Sequence, residues 1–162
     1  NLVVRGIAFE DNISRVTIEG LNNELQTLST IFTALAKEQL NVDIIIQNVT
    51  ANNRLSISFS IKTVDVGAAL AVLKEYKSTL GYTRIEHESS LAKVSIVGSG
   101  MISNPGVAAE MFEVLAGEKI EVKMVSTSEI KVSTVVPHAD MVKAVETLHV
   151  AFELEEQQAV QV

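Results

Sequence analysis

The feature that most constrains this chain is an internal repeat of about eighty residues, because self-similarity at a fixed period means that one supersecondary unit is built twice. Val16-Thr17-Ile18-Glu19-Gly20 corresponds to Val94-Ser95-Ile96-Val97-Gly98, each an alternating stretch ended by glycine. Beyond the turn, Ile31-Phe32-Thr33-Ala34-Leu35-Ala36 corresponds to Met111-Phe112-Glu113-Val114-Leu115-Ala116, and Leu40-Asn41-Val42 to Ile120-Glu121-Val122. Further on, Ile57, Phe59 and Ile61 face Val132, Thr134 and Val136, and Asp65 faces Asp140. The offset moves from 78 to 80 to 75 residues. Each change falls between elements, where loops absorb insertions.

Apolar residues at 28, 31, 32 and 35, and again at 108, 111, 112 and 115, predict a helix with one apolar face in each copy. Val42 to Ile46 and Val122 to Val125 read as largely buried strands, Leu55 to Ile61 and Ile130 to Val136 as alternating ones. A second helix follows, with a stripe of Val66, Ala69, Leu70 and Leu73 in the first copy. In the second copy Met141, Val145 and Leu148 form it, after Pro137 and ending near Phe152. Tyr82 to Glu88 supplies a fourth strand. The expected fold class is therefore α+β: two tandem ferredoxin-like βαββαβ units, antiparallel sheets with helices on one face.

The expected units are 13–89 and 90–156, with 157–162 a flexible tail. The strand-like Leu2 to Phe9 has no counterpart between the copies, and the second copy offers only Phe152 to Leu154 as a last strand. The N-terminal strand 2–9 is thus expected to complete the second unit's sheet. Exposed edge strands are usually managed by pairing, which predicts a dimer.

Composition removes several function classes. Of 162 residues, 47% are hydrophobic and only 4% aromatic, mostly Val, Ile, Leu and Ala, which suits strands packed against helices. The absence of cysteine excludes disulfides and thiolate metal sites, and points to a cytoplasmic home. Net charge is −7 and the 13 Lys and Arg are scattered, so nucleic acid is not an expected partner. No apolar stretch approaches the roughly 18 to 20 residues of a membrane helix, and Asn1 to Asn12 lacks a signal-peptide pattern, so a soluble protein with no membrane partner is expected. His87, His138 and His149 are far apart and hold no ligand spacing. A Gly-rich Lys-Ser/Thr phosphate loop and a nucleophile elbow are both missing. The chain is expected to be no enzyme by itself, with no metal and no cofactor.

Two loops hold candidate binding residues. Gly98-Ser99-Gly100-Met101-Ile102-Ser103-Asn104-Pro105-Gly106 leads from a strand into a helix. It reads either as a carboxylate cradle on a helix N-terminus or as a plain turn capped by Asn104. As a dinucleotide loop it lacks the third glycine, where Ser103 stands. Ser126-Thr127-Ser128-Glu129 faces Gln47-Asn48-Val49-Thr50 in the first copy. Both read either as hairpin turns or as polar groups that orient an amino acid.

Three stretches carry a family resemblance: Val94 to Met101, Asn104-Pro105-Gly106-Val107, and Val125 to Ser133 resemble the ACT domains of aspartate kinase. Val42 to Val49 resembles the corresponding strand of the first ACT domain, and the likeness covers almost the whole chain. It is most similar to the separate regulatory β subunit of α2β2-type bacterial enzymes, Bacillus-like in wording. Such a kinase phosphorylates aspartate with ATP at the head of lysine, threonine and methionine biosynthesis, including the diaminopimelate route. Its catalytic domain carries a Lys-Phe-Gly-Gly motif that is absent here. The resemblance implies a sensor for allosteric feedback inhibition, in which lysine, threonine or both bind between ACT domains. Implied partners are a second regulatory chain, as a homodimer, and the catalytic α subunit.

By the same resemblance the effector site of the first copy comprises Asn23, Glu24, Leu25, Gln26, Thr27 and Leu28 with Val42, Asp43, Gln47 and Asn48. Facing it from a partner chain would stand Glu121, Val122, Ser126, Thr127, Ser128 and Glu129. The second-copy loop Ser103, Asn104, Pro105, Gly106 and Val107 keeps the family's Asn-Pro-Gly, whereas the Asp-x-Pro-Gly common in the first loop is replaced by Asn23-Glu24-Leu25-Gln26. Lysine's side-chain ammonium would seek Asp43, Glu24 or Glu121, which tilts the expected effector toward lysine. The competing readings are a structural assembly subunit that senses nothing, and a free-standing ACT regulator of another enzyme.

Overall fold

The computed structural model describes residues 3–154 and the backbone of 159–161. In chain order the elements are β1 (Val4–Leu21), α1 (Thr27–Lys37), β2 (Val42–Val49), β3 (Leu55–Lys62), α2 (Val66–Glu75), α3 (Lys77–Leu80), β4 (Arg84–Gly98), α4 (Pro105–Gly117), β5 (Met124–Thr127), β6 (Lys131–Pro137), α5 (Met141–Ala151) and β7 (Ala159–Gln161). Short 3-10 turns at Thr63–Asp65 and His138–Asp140 lead into α2 and α5.

Two strands run much longer than the sequence pattern suggests. β1 joins the stretches read at 2–9 and 16–20, and β4 joins those read at 82–88 and 94–98. Each carries one left-handed non-glycine residue, Asn12 at φ 56° and Ser90 at φ 60°. One such residue breaks the alternation and bends the strand without ending it, so polar stretches around these positions read as loops. The same residues mark the limits of two compact units, Ile13–Ser89 and Asn1–Asn12 with Ser90–Val162.

The first unit, Ile13–Ser89, has strand order β2-β3-β1-β4. β1 pairs antiparallel with β3 from Ile13 opposite Lys62 to Leu21 opposite Leu55. Val16, Ile18, Ile57, Phe59 and Ile61 point to the helix side and pack with Ile31, Leu35, Ala69 and Leu73. Phe32 meets Phe59 edge to face, ring centroids 5.9 Å apart. The face of α1 is turned slightly from the sequence stripe: Thr27, Ile31, Ala34 and Leu35 are buried, while Leu28 is exposed. The alternate residues of β1 carry an ion-pair ladder, Arg15 to Glu88 at 2.8 Å and Arg84 to Glu19 at 2.9 Å.

One strand is misread by its composition. β2 was expected to be largely buried, yet Ile44 alone of Val42–Val49 is buried. The reason is topological: β2 is an edge strand, paired only with β3 in the order above.

The second unit has strand order β5-β6-β4, continued by the N-terminal half of β1 beside β4. Val94, Ile96, Val132 and Val136 pack with Met111, Leu115, Ala144 and Leu148, and Val4 and Ile7 join the same core. Gly98 lies so close to the N-terminal segment that a Cβ would stand 1.8 Å from the Val3 carbonyl oxygen. The strand read at Val122 to Val125 begins later, at Met124, although the Lys123 N–H already reaches the Val135 carbonyl of β6 at 2.7 Å.

Phe152 to Leu154 is no strand. Phe152 ends α5, its N–H on the Leu148 carbonyl at 3.0 Å, and its buried ring closes the core. Residues 159–161, expected within a flexible tail, instead form β7, parallel to β1 with Ile7 opposite Ala159. There they use a stretch of β1 edge that would otherwise lack partners. Residues 157, 158 and 162 of that tail, and 155 and 156 of the expected second unit, lie outside the described residues.

Candidate functional site

In the first unit the β1–α1 loop is fixed by backbone geometry before any side chain contributes. Gly20 has φ 76°, and a Cβ there would lie 2.5 Å from Thr83 Oγ1. Only glycine takes this turn without strain. The Asn22 N–H donates to the Leu80 carbonyl at 2.9 Å, and Thr27 Oγ1 donates to the Asn22 carbonyl at 2.8 Å. Arg54 Nη2 donates to the carbonyls of Gly20 and Gly81 at 2.8 and 3.0 Å, tying the loop's start to the end of α3. Asn23 Nδ2 donates to Asn53 Oδ1 at 2.8 Å, joining the loop to the β2–β3 turn. Thr27 is buried, whereas Leu25 is 98% exposed.

Beside this loop lies a cleft of about 140 Å³ lined by Glu24, Gln26, Thr27, Thr30, Thr79 and Leu80. Two hydroxyl residues of α1 and one of α3 face it together with a carboxylate and an amide, a polar set suited to hydrogen-bonding a small zwitterion.

β2 carries the other first-unit candidates, and it is irregular where they begin. Val42 pairs with Ile61 and Ile45 with Phe59, so β2 spends one residue more than β3 and forms a bulge at Asp43-Ile44 opposite Ser60. The Ile44 N–H donates to Ser60 Oγ at 2.9 Å. Beyond the bulge Gln47 stands opposite Ile57 and Asn48 opposite Ser56, on alternate faces.

The second unit repeats the loop-to-hairpin link with backbone atoms. The Met101 N–H donates to the Glu129 carbonyl at 2.9 Å and the Gly98 N–H to the Ile130 carbonyl at 2.8 Å. Asn104 sits at the cap position of α4 but makes no side-chain cap bond. Its Nδ2 donates to the Gly100 carbonyl at 2.7 Å, closing the loop on itself, and Pro105 opens α4 without an N–H that would need a cap. Ser103 is exposed, Val107 is buried in the core, and a Cβ on Gly106 would meet nothing within 4 Å. Glu121 pairs with Lys123 at 3.2 Å, and Val122 packs against the core. Ser126 and Thr127 are exposed on β5, with Ser128 and Glu129 in the turn after it.

A larger groove of about 490 Å³ runs between α4 and α5, walled by Val114, Val150 and Ala151 with Glu113, Glu118 and Glu146 among its lining. It contains none of the candidate residues. Among the described residues no helix is long and apolar enough to cross a membrane, and no cluster of His, Asp and Glu is placed to hold a metal.

The ACT-domain family profile matches residues 16–76 and 94–152, once on each unit. Aspartokinase 2 of Bacillus subtilis is 69% identical over 154 residues, covering 95% of this chain and 38% of that protein. Aspartokinase of Geobacillus stearothermophilus is 58% identical over 159 residues, covering 98% of this chain and 38% of that protein. Among solved structures, a chain of the crystal structure of aspartokinase alpha and beta subunits superposes with a TM-score of 0.86 at 38% identity, covering 93% of this chain and 99% of the other. The ligand-free regulatory subunit of aspartate kinase from Thermus thermophilus gives a TM-score of 0.86 at 31% identity, with the same two coverages of 93% and 99%. The chain belongs to the ACT-domain family, of the aspartate kinase regulatory type.

The match falls on the ACT part of these enzymes and not on the kinase domain, and the chain spans 38% of the length of the two Bacillaceae relatives named above. Within the ACT units, the structure brings the Asn23–Leu28 loop together with the hairpin that follows Gln47 and Asn48; in the second unit it is Met101, ahead of Ser103–Val107, that bonds the turn at Glu129. Sequence reasoning missed Thr30, Asn53, Arg54, Ser60 and Thr79. Asn52-Asn53 is a recognisable turn pair, but nothing in the sequence shows that Arg54 reaches two distant carbonyls or that Ser60 sits opposite a bulge.

Proposed function

We propose that this ACT chain senses an end-product amino acid, lysine or threonine, for an aspartate kinase, and that the bound effector lowers aspartate phosphorylation by a catalytic partner subunit in the cytoplasm. The observation that carries the reading is the clamped β1–α1 loop with its polar cleft, lined by Glu24, Gln26, Thr27, Thr30 and Thr79. About 140 Å³ is below the roughly 300 Å³ at which small-molecule pockets begin, so the reading includes a second wall from another copy of the chain. By the family resemblance that wall is Glu121, Val122 and Ser126 to Glu129.

The edge strand supports the same assembly. Ile45, Ile46 and Val49 are 46%, 39% and 50% exposed along β2, an apolar edge that a homodimer would cover. For lysine, Glu24 is the carboxylate that lines the first unit's cleft, and by the family resemblance Asp43 belongs to the same site. An effector acts only by binding one arrangement better than the other, and couplings of about 1 to 3 kcal/mol are usual.

Calorimetry on the complete enzyme, with lysine and threonine separately and together, tests the proposal. Binding that weakens in Glu24→Gln while the assembly stays intact supports it, and no binding of either amino acid sinks it. A second reading, a subunit that holds catalytic chains together without sensing, has Leu25 in its favour. A leucine 98% exposed in the middle of the loop suits a protein contact better than an amino-acid cradle.

A further inference from the structure

A strand that keeps regular alternation from Val42 would place Ile44, not Ile45, opposite Phe59. The bulge shifts the phase: Val42 and Ile45 both stand opposite residues of the helix-side core, Ile61 and Phe59, and Asp43 and Ile44 share the place opposite Ser60. A one-residue slip moves every later side chain to the other face of the sheet. The bulge therefore decides which of Gln47 and Asn48 faces the helices. It also sets the direction of Asp43.

Within the bulge, a buried hydroxyl takes the Ile44 N–H. Ser60 Oγ accepts the Ile44 N–H at 2.9 Å, and Ser60 and Ile44 are 2% and 4% exposed, so water is poorly placed to substitute. The second unit supplies the control. Asp43 corresponds to Lys123 and Ser60 to Val135 in the repeat; there the Lys123 N–H reaches the Val135 backbone carbonyl at 2.7 Å, and β5 pairs with β6 without a register shift. The hydroxyl-held bulge belongs to the first unit alone among the described residues.

We propose that Ser60 is a positioning residue for effector binding, acting through the bulge that orients Asp43, Gln47 and Asn48. The inference rests on the effector reading above and deepens it. In the complete enzyme, Ser60→Ala and Ser60→Cys are compared with Ser60→Thr, which keeps the hydroxyl and has the shape of the valine that the second unit accommodates. Val72→Ala, a core change on α2, controls for stability alone.

Two readouts are followed: affinity for lysine and threonine, and hydrogen exchange of the Ile44 to Asn48 amides. Ser60→Ala and Ser60→Cys should bind about tenfold more weakly and exchange faster over this stretch. Ser60→Thr should keep both properties, and Val72→Ala should lower the thermal midpoint without changing affinity. Wild-type affinity in Ser60→Ala and Ser60→Cys overturns the proposal, as does an affinity loss in Val72→Ala that matches its loss of stability. If the wild-type enzyme binds neither amino acid, the effector reading falls by itself. The exchange comparison then still decides whether Ser60 holds the bulge, and unchanged exchange at Ile44 overturns it.

Discussion

Gly20 and Gly98 occupy the same place in the repeat and are required for unlike reasons. Gly20 is left-handed, at φ 76°, with Thr83 side-chain atoms nearby, whereas Gly98 admits the Val3 carbonyl to within 1.8 Å of where a Cβ would be. Alanine at position 98 has rigid backbone to displace, so Gly98→Ala should cost the second unit about 1 to 3 kcal/mol, the usual range for overpacking, in urea unfolding. Gly20→Ala should cost about 1 to 2 kcal/mol through backbone strain in the first unit. Tyr82 gives a pH signature. Burial raises its pKa above the ordinary 10.0, and its hydroxyl donates to the Leu73 carbonyl at 3.2 Å. A folded-state pKa above the unfolded one means that the neutral phenol's contribution is complete below pH 10 and is lost as pH rises through the folded value. Stability measured across the alkaline range should therefore fall more steeply in the wild type than in Tyr82→Phe. The sequence showed both glycines as strand ends and could not show their causes, because one is a dihedral angle and the other an approach by a residue 95 positions away.

At the scale of elements, helices were legible because a 3.6-residue period survives any packing detail: Ile31, Leu35, Met111 and Leu115 all lie in the cores. Strands were less so. Ile44-Ile45-Ile46 reads as an interior run, but the edge position of β2 leaves Ile45 and Ile46 exposed, and sequence alone does not say which strand is outermost. The joins within β1 and β4 were hidden by the left-handed Asn12 and Ser90. Asn tolerates that conformation better than Ser, so the two positions should respond differently to glycine. Ser90→Gly should be neutral to about 1 kcal/mol stabilising, Asn12→Gly close to neutral, and Ser90→Val clearly destabilising by denaturant midpoint, since a β-branched residue fits φ 60° poorly. Equal responses at both sites would mean that the bends are not set by local backbone preference.

For the molecule as a whole, the two cores make a crossed prediction. Val4 and Ile7 are 2% and 1% exposed and lie in the core of the unit that contains Ser90–Val162, although they precede the other unit in sequence. Ile57, fully buried, lies in the core of Ile13–Ser89. Truncating a large buried side chain to alanine costs about 2 to 5 kcal/mol, a large fraction of the roughly 5 to 15 kcal/mol that holds a domain folded. If each core governs its own unit, Ile7→Ala should speed hydrogen exchange across 90–154 and leave 13–89 protected, and Ile57→Ala should do the reverse. Exchange that rises in both units for either substitution would mean that they unfold as one body. That outcome bears on regulation too: units that open separately let an effector order the first without spending its binding energy on the second, whereas a single cooperative body would share the coupling between both.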